Sequence, residues 1–159
     1  MIPSSEESAT RIIPSLSGEG ERRAYKALRD LSKACPLPEE ERLGNLGLYL
    51  DRPSLGRVLQ MHSMYQKILG KPGVIMEFGV RWGQNMALFT TLRNIYEPHN
   101  YGRKVVGFDT FSGLAGVQDA DGKAGVAHDG AYSVSQGYET HLESVLLAHE
   151  QLSPRPHLR

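Results

Sequence analysis

The sequence predicts an α/β fold in which N-terminal helices precede an incomplete parallel sheet, and three observations predict it. Val74–Phe78 and Lys104–Phe108 are short runs rich in β-branched and aromatic residues, each bounded by turn residues. Between them, Gln84–Tyr96 carries apolar residues at helical spacing. Ahead of them lie two further stretches of helical period without a strand pattern. A strand–helix–strand unit of this kind closes as a right-handed crossover with parallel strands.

Taken in order, residues 1–18 are rich in Ser, Glu, Pro and Gly and read as a flexible arm. Residues 19–73 read as a helical N-terminal region. In its first helix, from Glu19 to about Ala34, Ala24, Leu28 and Leu31 recur at i, i+4 and i+7 with Ala27 beside them. Cys35-Pro36-Leu37-Pro38 stops this helix, because proline lacks an N–H and crowds the preceding turn. The second helix is expected to be capped by Ser54, with Leu55, Val58, Leu59, His62, Tyr65 and Leu69 tracing one face and Gly70 ending it. Residues 74–159 carry the sheet. Val74–Phe78 reads as a short buried strand, and in the helix Gln84–Tyr96 the residues Leu88, Leu92 and Ile95 share a face. The second strand delivers Asp109 at its end. Residues 112–137, with Gly113, Gly116, Gly122, Gly125, Gly130 and Gly137, read as a long loop of the functional or disordered kind. A last helix runs from about Tyr138 to Gln151, with Leu142, Val145 and Leu146 on its buried face.

Composition excludes several classes. The 159 residues suffice for one domain with a real core, and 40% apolar with 23% charged residues is ordinary for a globular chain. Eighteen basic residues balance eighteen acidic ones, which leaves no electrostatic footprint for nucleic acid. Cys35 is the single cysteine, so neither an internal disulfide nor a cysteine-based zinc site is available. Met1-Ile-Pro-Ser-Ser-Glu-Glu lacks the pattern of a secretory signal, and Val74–Val80, interrupted by Glu77, is too short to span a bilayer. The expectation is a cytoplasmic protein with neither a nucleic-acid nor a membrane partner.

The chemistry-bearing unit is Glu77-Phe78-Gly79-Val80-Arg81-Trp82-Gly83, followed 26 residues after Gly83 by Asp109. A glycine-rich turn between strand and helix lets a ligand approach the backbone, and a carboxylate at the end of the next parallel strand accepts hydrogen bonds from a ribose diol. A dinucleotide site needs G-x-G-x-x-G, and Arg81 stands where the second glycine belongs, which argues against a nicotinamide-dependent oxidoreductase. S-adenosylmethionine carries no phosphate, and its sites tolerate E-x-G-x-x-x-G. Glu77 suits the acidic position, since a carboxylate inside an apolar strand needs a polar partner.

Glu77-Phe-Gly-Val-Arg-Trp-Gly, the Pro72-Gly73 before it, Gly107-Phe-Asp-Thr-Phe-Ser-Gly113 and the later Ala131-Tyr-Ser-Val-Ser135 resemble the macrocin O-methyltransferase (TylF-type) family of class I S-adenosylmethionine-dependent methyltransferases. The resemblance covers roughly residues 50 to 150. It implies a Rossmann-like class I methyltransferase fold, S-adenosylmethionine as cofactor, and methyl transfer to a hydroxyl of a sugar or natural product. Carried over residue by residue, it assigns Glu77, Gly79, Val80 and Gly83 to the cofactor loop, Asp109 to the adenosine ribose, and Thr110 and Phe111 to positions beside the adenosine. Family members run further, through strands that carry an aspartate-rich magnesium site and position the acceptor; no counterpart is found before Arg159, so residues 74–159 are expected to be a partial cofactor-binding domain of a truncated enzyme. No catalytic base and no metal ligand is assigned. The rival reading is a non-catalytic remnant that pairs with another chain or forms a homo-oligomer, because two strands leave sheet edges uncovered.

Other residues carry plainer expectations. Trp82 packs over adenine or sulfonium, or serves as a packing residue. Tyr132 reaches toward the acceptor pocket. His62 reads as a satisfied, partly buried side chain, and His141 and His149 as surface histidines whose spacing brings no shared metal. Asp119-Ala-Asp121-Gly122 lacks the further ligands of a calcium loop. Cys35 has no neighbouring histidine or basic cluster to activate it.

Overall fold

A computed structural model of the chain describes residues 18–118 and 128–154. Residues 1–17 of the expected arm, the Asp119-Ala-Asp121-Gly122 stretch and residues 155–159 lie outside the described residues. Met1–Asp51 and Arg52–Arg159 form two compact units.

The first unit holds α1 (Glu19–Lys33), α2 (Glu39–Arg42) and a 3-10 helix (Leu43–Tyr49) kinked at Asn45. Glu19 and Glu21 in the first turn of α1 and Lys33 in its last complement the helix dipole. The expected apolar face is not a core face: no α1 side chain is buried, and Ala24, Ala27 and Leu31 are exposed. The helix ends at Lys33 as the prolines require. Beyond it, the Arg42 guanidinium donates to the carbonyls of Leu37 and Cys35 at 3.3 and 3.4 Å, folding the Cys35–Pro38 segment back on α2.

The second unit runs α3 (Arg52–Gln66), β1 (Ile75–Phe78), α4 (Gln84–Tyr96), β2 (Val105–Phe108) and α5 (Tyr138–Gln151). The strands are parallel, with Ile75 opposite Val105 and Glu77 opposite Gly107, so the strand–helix–strand expectation holds. Ser54 is not the cap of α3. That helix begins at Arg52 with Pro53 in its first turn, where a fixed φ and a missing N–H cost nothing. Its inward face is Met61 and Tyr65, continued by Ile68 in the turn beyond the helix, whereas Leu55, Leu59 and Leu69 are exposed.

Two apolar clusters share Val105. Tyr65, Phe89 and Leu92 pack with Met61, Ile68 and Ile75, while Val80, Met86 and Leu142 pack with Phe111, Tyr138 and Leu146. In α4 the buried positions are Met86, Phe89, Thr90, Leu92 and Arg93, and Ile95 points to solvent, one helical step away from the expected face. Arg103 is only 2% exposed and ties the turn before β1 to the loop after α4. Its guanidinium donates to the carbonyls of Gly73, Ile68 and Lys71 at 2.9, 3.1 and 2.7 Å and pairs with Glu97 at 2.9 Å.

β1 is half-buried on one face and exposed on the other. Met76, Phe78 and Phe108 are 56%, 76% and 48% exposed, and the Phe78 and Phe108 rings stack at 5.0 Å. Period-2 alternation sends Ile75 and Glu77 toward the helices and Met76 and Phe78 the other way. Parallel strands are ordinarily covered on both faces, and among the described residues this face is open.

Candidate functional site

The loops after β1 and β2 meet at the carboxyl ends of the strands, where parallel sheets place their ligands. Gly79 continues the ladder, its N–H donating to Phe108 O at 2.9 Å, and then takes φ +86. A Cβ built on Gly79 would have no heavy atom within 4 Å, so glycine is required by its backbone angle and the space above it is open. Gly83 has φ +73 as it enters α4, and there a Cβ would lie 2.2 Å from Leu142 Cδ1. This glycine sets the approach of α5 to α4. Gly107 does the same for the sheet, since a Cβ there would meet Met86 Sδ at 2.4 Å and Val80 Cγ2 at 2.7 Å.

Asp109 clamps the two loops together. Its Oδ2 accepts the Arg81 N–H at 2.7 Å and its Oδ1 the Phe111 N–H at 2.6 Å. Burial works against the charged carboxylate, but the backbone N–H groups of Arg81, Phe111, Val80 and Thr110 outweigh it and hold the carboxyl below its ordinary value. Of these groups, Arg81 and Phe111 make the hydrogen bonds, one to each oxygen, so each carboxylate oxygen keeps a lone pair for a further donor.

Glu77 lies on the helix-facing side of β1. Its Oε1 accepts from Asn85 Nδ2, in the first turn of α4, at 2.8 Å. Its Oε2 is buried, and so is Asn85 Oδ1, and neither has a hydrogen-bond partner among the described residues. Two buried acceptors on a hydrogen-bonded pair of side chains call for a donor, and the most effective donor is a cation. Burial raises the Glu77 pKa above the ordinary carboxylate value; the Asn85 hydrogen bond and the Arg57 charge act against this, and Asp109 adds to it.

The remaining expected site residues are placed as follows. The Val80 side chain points into the core with Met86 and Leu142, so only its backbone faces the loop. Thr110 is exposed and its hydroxyl donates to Gly113 O at 3.4 Å. Phe111 has φ +57 and lines a cavity of about 280 Å³ together with Val80, Met86, Gly107, Leu142 and Leu146. Trp82 meets Tyr138 edge to face at 4.7 Å, and its carbonyl accepts the Tyr138 hydroxyl at 3.0 Å, which favours the packing role. Tyr132 lies against the Arg81 guanidinium, 5.2 Å from its ring centroid.

The histidines divide. His62 Nε2 is 2.6 Å from the Tyr96 hydroxyl, a satisfied contact as expected. His141 is exposed beside Tyr138. His149 is not a surface residue: it is half-buried, its Nδ1 lies 3.3 Å from Thr91 Oγ1, and its carbonyl accepts from Asn94 at 2.9 Å. Among the described residues, no three His, Cys, Asp or Glu side chains gather as metal ligands. Cys35 does have activating neighbours. The Tyr49 hydroxyl, the Leu37 backbone and the Arg42 charge lower its pKa, a contact made by chain folding rather than by adjacency in sequence. Asn85 was not legible as a site residue, and its one signal is a polar side chain in the first turn of the helix that the glycine loop opens.

No protein-family model and no curated protein matches the chain. Among solved structures, the crystal structure of CalS11, a calicheamicin methyltransferase, is 40% identical over 90% of this chain with a TM-score of 0.86. The fold is a methyltransferase fold. An apo structure of CalS11, described as a TDP-rhamnose 3'-O-methyltransferase of calicheamicin biosynthesis, is 37% identical over 90% of the chain with a TM-score of 0.73. The chain spans 56% and 54% of those two chains, so the methyltransferase fold here corresponds to just over half of CalS11. No helix among the described residues is long and apolar enough to cross a membrane.

Proposed function

We propose that the chain binds S-adenosylmethionine at the Glu77–Gly83 and Asp109–Phe111 loops and serves an O-methyl transfer to a hydroxyl of a sugar or sugar-like small molecule, in the manner of the TylF-type family. The observation that carries the reading is the pair of unpartnered buried acceptors, Glu77 Oε2 and Asn85 Oδ1, under an open glycine loop. A group with an ammonium end and a ribose diol fits this donor demand. The 40% identity to CalS11 and that enzyme's sugar-nucleotide acceptor support the substrate class.

Glu77 Oε2 would accept from the cofactor's ammonium, with Asn85 holding the carboxylate in place. The free lone pairs of Asp109 would accept from the ribose hydroxyls, while its other lone pairs keep both loops closed. Gly79 leaves the backbone bare for close approach, and Phe111 offers a flat apolar surface beside the adenosine position. When bound, S-adenosylmethionine supplies an activated methyl group on its sulfonium. The protein's share is alignment of that group with an acceptor oxygen. Magnesium dependence, known for the family, has no assigned residue in this chain.

Calorimetric titration of the full chain with S-adenosylhomocysteine tests the reading, with NAD as the rival ligand. Micromolar binding of S-adenosylhomocysteine, weakened roughly tenfold or more in Glu77→Gln by loss of a charge-assisted hydrogen bond, is the expected result. A folded chain that binds NAD, or neither ligand, refutes it. The exposed Phe78–Phe108 face favours a second reading, a domain that acts only when paired with a second copy of itself, and sedimentation as a compact monomer would dismiss it.

A further inference from the structure

Arg81 is the one residue of the glycine loop whose charge the site described so far does not use. Its backbone is fixed by the Asp109 carboxylate at 2.7 Å and held at φ +50, a conformation that costs a non-glycine residue on the order of 1 kcal/mol. The guanidinium rests against two aromatic faces, 5.9 Å from the Trp82 centroid and 5.2 Å from that of Tyr132. Its Nε is buried and has no hydrogen-bond partner among the described residues. No carboxylate among them pairs with it. The two buried arginines of the unit differ in this respect, since Arg93 is paired with Glu150 and Arg103 with Glu97. Glu77 and Asp109 are close at hand in the loop, yet neither forms an ion pair with Arg81.

The two rings are themselves held. Tyr138 anchors Trp82 through its carbonyl, and the segment bearing Tyr132 is tied to the loop after β2 by Leu114 N–H to Ala131 O at 2.9 Å and Val134 N–H to Phe111 O at 3.2 Å. Tyr132 also sits at positive φ, +67. Arg81 and the Tyr132 that stacks on it thus both carry left-handed backbones, as does Phe111 in the loop after β2. Stacking against aromatic faces leaves the in-plane N–H edge of a guanidinium as its binding edge, and that edge matches an oxyanion in bidentate fashion.

We infer that Arg81, braced by Trp82 and Tyr132, is an oxyanion-binding residue of the ligand site, taking a carboxylate or a phosphate. Two sources carry that chemistry: the amino-acid carboxylate of the cofactor and the phosphates of a nucleotide-linked acceptor. The first source rests on the cofactor reading above; the second does not.

Three probes separate the sources when titrated calorimetrically into the wild-type chain, Arg81→Gln and Arg81→Lys, each checked for folding by circular dichroism. S-adenosylhomocysteine carries the carboxylate, 5'-methylthioadenosine carries the same adenosine and thioether without it, and thymidine diphosphate carries phosphates alone. If the cofactor carboxylate is the anion, Arg81→Gln weakens S-adenosylhomocysteine about tenfold or more and leaves methylthioadenosine unchanged. If an acceptor phosphate is the anion, the loss falls on thymidine diphosphate instead. Arg81→Lys recovers part of either loss, because it restores the charge without the fork. The inference is overturned if no probe loses affinity in Arg81→Gln, or if methylthioadenosine weakens as much as S-adenosylhomocysteine, which would mark Arg81 as a mere brace of the loop. A wild-type chain that binds neither adenosine probe refutes the cofactor reading alone. Thymidine diphosphate then decides the oxyanion site, and its failure to bind overturns that as well.

Discussion

Replacing Asp109 by asparagine should loosen the fold as well as the site, and the size of the effect follows from two hydrogen bonds. The carboxylate accepts from Arg81 N–H at 2.7 Å and from Phe111 N–H at 2.6 Å, both partly buried. Bonds to an ionised acceptor contribute about 1.5–3 kcal/mol each, and partial exposure places these at the low end, so the pair stabilises the native state by about 3 kcal/mol. Asparagine keeps one neutral acceptor, good for about 1 kcal/mol, and turns an amide donor toward the other N–H. The expected net loss is about 2 kcal/mol, read by urea denaturation at neutral pH. Folding also holds the Asp109 carboxyl below its ordinary value. Its contribution is therefore complete above the unfolded pKa and fades as pH falls through the lowered folded one, so the gap between wild type and variant should narrow in acid. A loss below about 0.5 kcal/mol, or a gap that does not narrow, would refute the clamp. If the variant folds, binds S-adenosylhomocysteine as tightly as wild type and is merely less stable, the ribose contact falls while the clamp stands.

Four other outcomes are expected. Gly83→Ala should cost about 2–4 kcal/mol in urea titrations, from the left-handed backbone plus the collision with Leu142, whereas Gly44→Ala, with open space and no positive φ, should cost almost nothing. Glu97 is held down to about 2, chiefly by the Arg103 hydrogen bonds, so about 3 kcal/mol of stability should be present above pH 4.5 and disappear as pH falls toward 2, and Glu97→Gln should remove that dependence from the acid-denaturation curve. Because burial raises the Glu77 pKa, affinity for S-adenosylhomocysteine should fall as pH drops through that raised value, in a window above that of an ordinary carboxylate; in Glu77→Gln the calorimetric affinity should lose this slope. Replacing both Phe78 and Phe108 by serine should raise solubility and suppress concentration-dependent sedimentation while costing less stability than a core substitution, since Phe78 is 76% and Phe108 48% exposed.

The elements defined by a strong local period were legible in the sequence. α4 and α5 begin and end where spacing and glycine placed them, and both strands are shorter by one residue than expected. Faces were less legible than elements. Whether Leu59 or Met61 of α3 points inward depends on which neighbour arrives, and periodicity tolerates either choice within a turn. The strand Ile75–Phe78 looked buried because an apolar run carries no record of how many layers cover it. Among the candidate site residues, Glu77, Gly79, Gly83 and Asp109 announced themselves by type and spacing. Asn85 did not, and neither did the contact of Tyr132 with Arg81, because these contacts join positions that only the crossover and the later loop bring together. Arg81 entered the sequence reading only as an obstacle to a dinucleotide, and its stacking partners give it a positive role.

The site and the packing of this unit cannot be separated. Asp109 is both a loop clamp and the expected ribose ligand; Gly83 is both the turn of the glycine loop and the contact surface for Leu142; Tyr138 opens α5 and its hydroxyl holds the Trp82 carbonyl. A ligand that engages Glu77, Asp109 and Arg81 together would therefore bridge β1, α4, β2 and α5 through groups that already hold these elements in register. Binding should accordingly raise the stability of the whole unit rather than order one loop, by RT ln(1 + [L]/Kd), about 2.7 kcal/mol at a hundredfold excess over Kd. Hydrogen exchange should show it as added protection in β2 and α5 as well as in residues 79–83. Protection confined to the glycine loop would mean that the clamp and the ligand act on separate parts of the structure.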